Sequence, residues 1–175
     1  MTIKTIFLDR DGVINKETGY LHKIEDFKFI NGVFEACQHY EQLGYKIVIV
    51  TNQSGISRGY YSEDDFRNIT DWMITQFNKN NIQILDTFHC PHSPISKCDC
   101  RKPKPGMLLE AKKKYNINML ESWMIGDSER DISAANLAGI KNTILVRSGH
   151  TINEVNSNAT FFLDSIIQTN QIILK

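Results

Sequence analysis

Residues Ile47-Val48-Ile49-Val50 make an unbroken β-branched run. A strand with one wet face alternates apolar and polar residues. A run without a polar member belongs to a strand covered on both sides, as in parallel sheets flanked by helices. The flanking sequence fits. Apolar residues at Val33, Phe34, Cys37, Tyr40 and Leu43 recur at helical spacing, and Gly44 stops the pattern. After the run, Ser62 offers an N-cap, and Glu63, Asp64 and Asp65 put negative charge in a first helical turn. Phe66, Ile69, Trp72, Met73 and Phe77 line one face of that helix as core residues.

The alternation continues. Ile3 to Leu8 reads as a first strand, Ile82 to Phe88 as a third, then Trp123 to Ile125 and Thr143 to Val146. Helices are expected over Met107 to Tyr115 and Glu129 to Ala138, the second stopped by Gly139. Phe161 to Leu163 and a terminal helix close the chain. Repeated β-α units predict a three-layer, Rossmann-like α/β fold with a mainly parallel sheet and right-handed crossovers. With 175 residues and no linker or repeat, the expectation is a single domain over 1–175.

Lys plus Arg and Asp plus Glu number 20 each, so no basic field recruits nucleic acid and any anion site must be local. No apolar run approaches the roughly 20 residues of a membrane helix, and no secretory signal opens the sequence. These features predict a cytoplasmic protein without membrane contact. No interface signal stands out, so a monomer is expected.

Chemistry-bearing residues gather where strands end. Ile6-Phe7-Leu8 runs into Asp9-Arg10-Asp11-Gly12, and a chain that twists after Asp9 can bring both carboxylates to one site. Crowded acids need a cation or a shared proton, which points to a hard divalent ion such as Mg²⁺; the alternative is a solvated acidic turn. Thr51-Asn52-Gln53-Ser54-Gly55 offers a hydroxyl and backbone N–H groups to phosphate oxygens, or is simply a turn. Asp127 matches Asp9 in position, although Asp127 or Ser128 could instead cap the next helix. Asp131, four residues on, could support a metal-bound water or Lys102, or be a surface charge. Arg101-Lys102-Pro103-Lys104-Pro105-Gly106 carries cations on a proline-stiffened segment before a helix, favouring an anion, with a solvated loop as the alternative for Lys104.

Within the aperiodic excursion 89–106, Cys90, His92, Cys98 and Cys100 supply three thiols and an imidazole. In a reducing compartment that clustering points to a closed, structural Zn²⁺ site rather than to disulfides. His89 and Cys37 are lesser candidates, and Cys37 sits in a helical core pattern. His39 has no partner signal.

Taken together, the four strand-end loops resemble the haloacid dehalogenase superfamily of phosphotransferases, whose four motifs occur in this order; the match covers Phe7 to Asp131. Three stretches narrow it: Gly19-Tyr20-Leu21-His22, Thr51 to Gly59, and Cys98 to Met107. These are similar to the D-glycero-D-manno-heptose 1,7-bisphosphate 7-phosphatase family, which serves surface-glycan synthesis, with histidinol-phosphate phosphatase a close relative sharing the cysteine loop. The resemblance implies Asp9 as nucleophile, Asp11 as acid and base, and Thr51 and Lys102 on the transferring phosphoryl oxygens. It also implies Mg²⁺ on the Asp9 side chain, the Asp11 carbonyl and Asp127. Gly19, Tyr20, His22, Asn52, Gln53, Ser54, Arg58 and Arg101 would bind the substrate, a small sugar phosphate. The segment between Asp9 and Thr51 already holds a helix, which leaves no room for a large cap there and implies a capless member. Two departures matter: the His92 to Cys98 gap is short, and Ser128 stands where many heptose enzymes carry lysine, so one phosphate contact is missing or supplied elsewhere. A bisphosphate substrate fits the cations Arg58, Arg101 and Lys104. Histidinol phosphate is the rival substrate, and a non-catalytic, zinc-stabilised binding module is the rival of another class.

Overall fold

The β-branched runs pair with one another. In the computed structural model, which describes residues 2–174, they build one six-stranded sheet. Its strands are β1 (Thr5–Leu8), β2 (Lys46–Asn52), β3 (Ile84–Cys90), β4 (Trp123–Gly126), β5 (Asn142–Val146) and β6 (Phe161–Leu163). The spatial order is β3-β2-β1-β4-β5-β6 and every pairing is parallel. Successive side chains feed opposite layers. Ile6, Leu8, Ile47, Ile49 and Ile125 join one core, whereas Phe7, Val48, Val50 and Met124 join the other.

Helices α1 (Val33–Gln42) and α2 (Glu63–Lys79) cover the first face through Val33, Cys37, Tyr40, Ile69, Met73 and Phe77. Helices α3 (Gly106–Tyr115) and α4 (Glu129–Ala138) cover the second through Met107, Leu108, Ala111, Ala134 and Ala135. Each large apolar side chain buried this way contributes about 1.5–3 kcal/mol. Ser62 caps α2 in a reciprocal box: Asp65 N donates to Ser62 Oγ at 3.1 Å and Ser62 N to Asp65 Oδ2 at 2.8 Å. Among the described residues no helix is long and apolar enough to cross a membrane.

Several elements differ from the sequence expectation. Ile3 makes only an isolated bridge to Ile117, so β1 begins at Thr5. The third strand starts later because residue 82 still closes α2: Ile82 N donates to Phe77 O at 3.0 Å. It runs on to Cys90 instead, placing that thiol beside Asn52 at the sheet's carboxyl edge. The terminal helix is a 3₁₀ stretch, Ile166–Gln171. There Thr169 Oγ1 donates to the Ile166 carbonyl at 2.6 Å and bonds the Tyr40 hydroxyl, a local competition with α-helical bonding.

The chain moves outward from β1 through β2 to β3, then crosses back to β4 on the other side of β1. That reversal opens a crevice beyond the carboxyl ends of β1 and β4, where sheets of this kind hold ligands. Asp9 lies at its floor, its N–H donating to Ile125 O at 3.0 Å.

Candidate active site

Asp9 follows β1 with one oxygen engaged. Oδ1 accepts from Arg10 N at 2.7 Å and lies 3.0 Å from Lys102 Nζ, while Oδ2 has no protein hydrogen bond among the described residues. The turn after Asp9 needs Gly12, whose φ is +82°. A Cβ there would lie 2.1 Å from Asp127 Oδ2, and one on Gly149 would lie 1.9 Å from the same atom. Two glycines thus let backbone close on the Asp127 carboxylate.

Lys102 is 2% exposed; its ammonium donates to Val50 O at 2.7 Å and forms ion pairs with Asp9 Oδ1 at 3.0 Å and Asp131 Oδ1 at 2.6 Å. Those partners raise its pKa against the lowering effect of burial, which is the largest single influence. Its backbone is clipped to β2 by Asn52, which accepts from Lys102 N at 3.1 Å and donates to Lys102 O at 3.0 Å. Asp131 works twice, because its Oδ2 accepts from Ser128 N and Oγ, each at 3.1 Å, at the start of α4. Ser128 therefore caps a helix, and Asp131 is buried rather than a surface charge.

Oxygens of Asp9, Asp127 and Asp131 lie within 4.8 Å of one another. Burial raises the pKa of Asp9 well above the usual carboxylate range; Lys102 opposes the rise, and the charges of Asp131, Asp127 and Asp11 add to it. Asp127 is raised by burial and then by Asp131, against hydrogen bonds from His150. Three carboxylates against one ammonium leave two negative charges, and an all-oxygen donor set of that charge fits a hard divalent cation.

Asp11 is held apart from this group. Arg10, 1% exposed, donates through Nη2 to both Asp11 oxygens at 3.0 Å, to Leu21 O at 3.1 Å and to Gln53 Oε1 at 3.4 Å. Asn15 Nδ2 donates to Asp11 Oδ1 at 2.9 Å and Gln53 Nε2 to Oδ2 at 3.0 Å. Gln53 Nε2 also reaches Thr51 Oγ1 at 2.8 Å, and Tyr61 OH donates to Gln53 Oε1 at 2.5 Å. Arg10 and Gln53 thus brace Asp11 from the loops after β1 and β2.

A cavity of about 190 Å³ opens above these groups, lined by Asp9, Asp11, Gly19, Tyr20, Thr51, Asn52, Gln53, Ser54, Arg101, Lys102 and Asp127 among others. His22 and Arg58 are not among its walls. The His22 ring stacks on Tyr61 at 5.1 Å and faces a neighbouring hollow, and Arg58 lies over the Tyr20 ring at 6.0 Å. Lys104 is turned to the Cys98 carbonyl.

The cysteine loop folds into one cluster in which a ligand atom from each of Cys90, His92, Cys98 and Cys100 lies within 4.8 Å of the others. His92 Nδ1 is 3.2 Å from Cys100 Sγ and 3.5 Å from Cys90 Sγ. Burial pushes the Cys90 and Cys100 thiols up, and for Cys100 the neighbouring thiols add to it. Three sulfurs and an imidazole without a carboxylate suit a borderline-soft ion such as Zn²⁺. Cys37 is buried in the core and His89 pairs with Glu63 at 2.6 Å, so neither joins the cluster.

Sequence reading missed Arg10, Tyr61, His150, Glu17 and Arg130. His150 binds Asp127 Oδ2 through Nδ1 at 2.6 Å and through its N–H at 3.0 Å. It follows Gly149 after β5, and only the glycine hinted at a close approach there. Glu17 and Arg130 join the cavity wall from segments with no periodic signal or with a helical one. Arg10 could have been found by asking why a cation interrupts two acids.

A family model described as HAD-hyrolase-like matches residues 99–169. D-glycero-alpha-D-manno-heptose-1,7-bisphosphate 7-phosphatase of Photorhabdus laumondii is 49% identical over 164 residues, covering 90% of each chain. The D-glycero-beta-D-manno-heptose-1,7-bisphosphate 7-phosphatase of Pasteurella multocida is 46% identical over 97% of this chain and 96% of its own. Among solved structures, D,D-heptose 1,7-bisphosphate phosphatase from B. bronchiseptica, complexed with magnesium and phosphate, superposes with a TM-score of 0.86. It is 28% identical and covers 97% of both chains.

The raised Asp9 sets a pH dependence. In metal-free protein the folded Asp9 binds its proton at a higher pH than the unfolded chain, so its contribution is full below the unfolded value of about 4 and is lost as pH rises through the folded one. In EDTA, Asp9→Asn should flatten the fall of Tm that wild type shows as pH rises above the unfolded carboxylate value of about 4. An equal or steeper fall in the variant would refute the assignment.

Proposed function

The chain belongs to the haloacid dehalogenase-like heptose 1,7-bisphosphate 7-phosphatases, and we propose that it removes the 7-phosphate of D-glycero-D-manno-heptose 1,7-bisphosphate through an aspartyl-phosphate. The observation that carries this reading is the contact of Lys102 with Asp9 under a cavity ringed by acids, at the crevice between β1 and β4.

Asp9 is the nucleophile: its Oδ2, free of protein donors, forms the bond to phosphorus as the bond to the sugar oxygen breaks. Lys102 and the Thr51 hydroxyl stabilise the equatorial oxygens as charge gathers on them. Asp11 gives a proton to the departing sugar oxygen, then takes one from the water that hydrolyses the intermediate. Arg10, Asn15 and Gln53 fix the Asp11 carboxylate for both transfers. Asp9, Asp127 and the Asp11 carbonyl would hold Mg²⁺, which supplies charge neutralisation between the attacking carboxylate and the phosphoryl group. Arg101 and the Gly19 to Ser54 walls receive the sugar. Arg101 donates to the His92 carbonyl at 3.2 Å, so a Zn²⁺ on Cys90, His92, Cys98 and Cys100 would fix that guanidinium. The thiol cluster needs a reducing compartment, and the reading takes the enzyme to be a cytoplasmic monomer.

The deciding experiment is phosphate release from both anomers of heptose 1,7-bisphosphate and from histidinol phosphate, with Mg²⁺ and with EDTA. Preference for one bisphosphate anomer, lost in EDTA, is expected; preference for histidinol phosphate would move the substrate and keep the mechanism. Asp11→Asn should lower kcat by about 10²–10⁴-fold with substrate binding retained, and full turnover in that variant would remove Asp11 from its role. Zinc removal should raise amide exchange across residues 90–102 while the sheet stays protected. Uniform protection with and without chelator would contradict a structural metal.

A further inference from the structure

Of the cations expected from sequence to meet a second phosphate, Arg58 and Lys104 do not line the cavity. Arg58 lies over the Tyr20 ring at 6.0 Å, and Lys104 donates to the Cys98 carbonyl. Arg101 does line the cavity, and the other guanidinium there is Arg130. The same two residues line the adjoining groove with Ser96, Pro103 and Lys104, so they form the rim shared by both hollows.

Arg130 has no electrostatic reason of its own to be there. It stands in the first turn of α4, where the helix dipole favours acids and repels a cation. It is exposed and makes no ion pair among the described residues. Its acidic neighbours are committed elsewhere: Glu129 accepts from Ser157 Oγ at 2.5 Å and Asn158 N at 3.2 Å, and Asp131 is held by Lys102 and Ser128. Two guanidinium groups on one shared rim can receive an anion, and their planar forks match phosphate oxygens two at a time.

We propose that Arg130 is a specificity-determining residue that, together with Arg101, binds the phosphate that is not hydrolysed. The subsite rests on the bisphosphate reading above, and it replaces Arg58 and Lys104 as the cations that discriminate bisphosphate from monophosphate.

The test compares kcat/KM for heptose 1,7-bisphosphate with that for heptose 7-phosphate in wild type, Arg130→Ala and Arg130→Lys. In Arg130→Ala the ratio of the two should fall about 10- to 100-fold, carried by KM for the bisphosphate, the loss typical of a charged hydrogen-bond partner. Arg130→Lys should lie between, keeping the charge but not the fork. An unchanged ratio, or equal loss on both esters, overturns the subsite while leaving the phosphatase reading intact. Wild-type protein that shows no preference for the bisphosphate removes the premise, and the subsite with it.

Discussion

The ammonium of Lys102 is the point on which the site turns. A buried charge survives only when its hydrogen bonds and its countercharge are supplied together, and here one lysine takes a carbonyl from β2, a carboxylate from the end of β1 and a carboxylate from α4. Those three elements meet at the reversal of strand order, so this topology is what brings them together. The lysine arrives from a loop that has no secondary structure of its own, and the Asn52 clip and the cysteine cluster on its amino-terminal side compensate for that.

Around that lysine the electrostatics divide into two compartments. Asp9, Asp127 and Asp131 crowd together with an excess of negative charge. Asp11, two residues from Asp9, is instead matched by its own neighbour Arg10 and by amides from Asn15 and Gln53. The separation gives adjacent acids in one turn different environments, which is how chemically identical side chains come to hold different roles.

The fold was legible where burial leaves a pattern. Ile47 to Val50 announced a strand covered on both faces, and the helices over Val33 and Phe66 declared their inner stripes, because packing acts on every residue of those segments. Strand boundaries were less legible: the late start of β3 depends on how α2 closes through Ile82, a tertiary outcome. Asp9, Asp127, Lys102 and the thiol cluster could be picked out because loop residues at strand ends carry no packing duty that explains them. Arg10, Tyr61 and His150 escaped for the opposite reason. Each acts through a contact with a residue distant in sequence or hidden behind a more conspicuous neighbour, and Arg58 and Lys104 show that a cation's presence in a motif does not fix where its side chain goes.

Asp131 closes the first turn of α4 through Ser128 with one oxygen and holds Lys102 with the other. Local folding and site electrostatics therefore share a single carboxylate. Substitutions that disturb the capping of α4 reach the lysine at once, and changes at the lysine reach the helix start. Sequence drift at positions 102, 128 and 131 should be mutually contingent, since contacting residues in one network do not contribute additively. A substitution neutral in one background would be damaging in another.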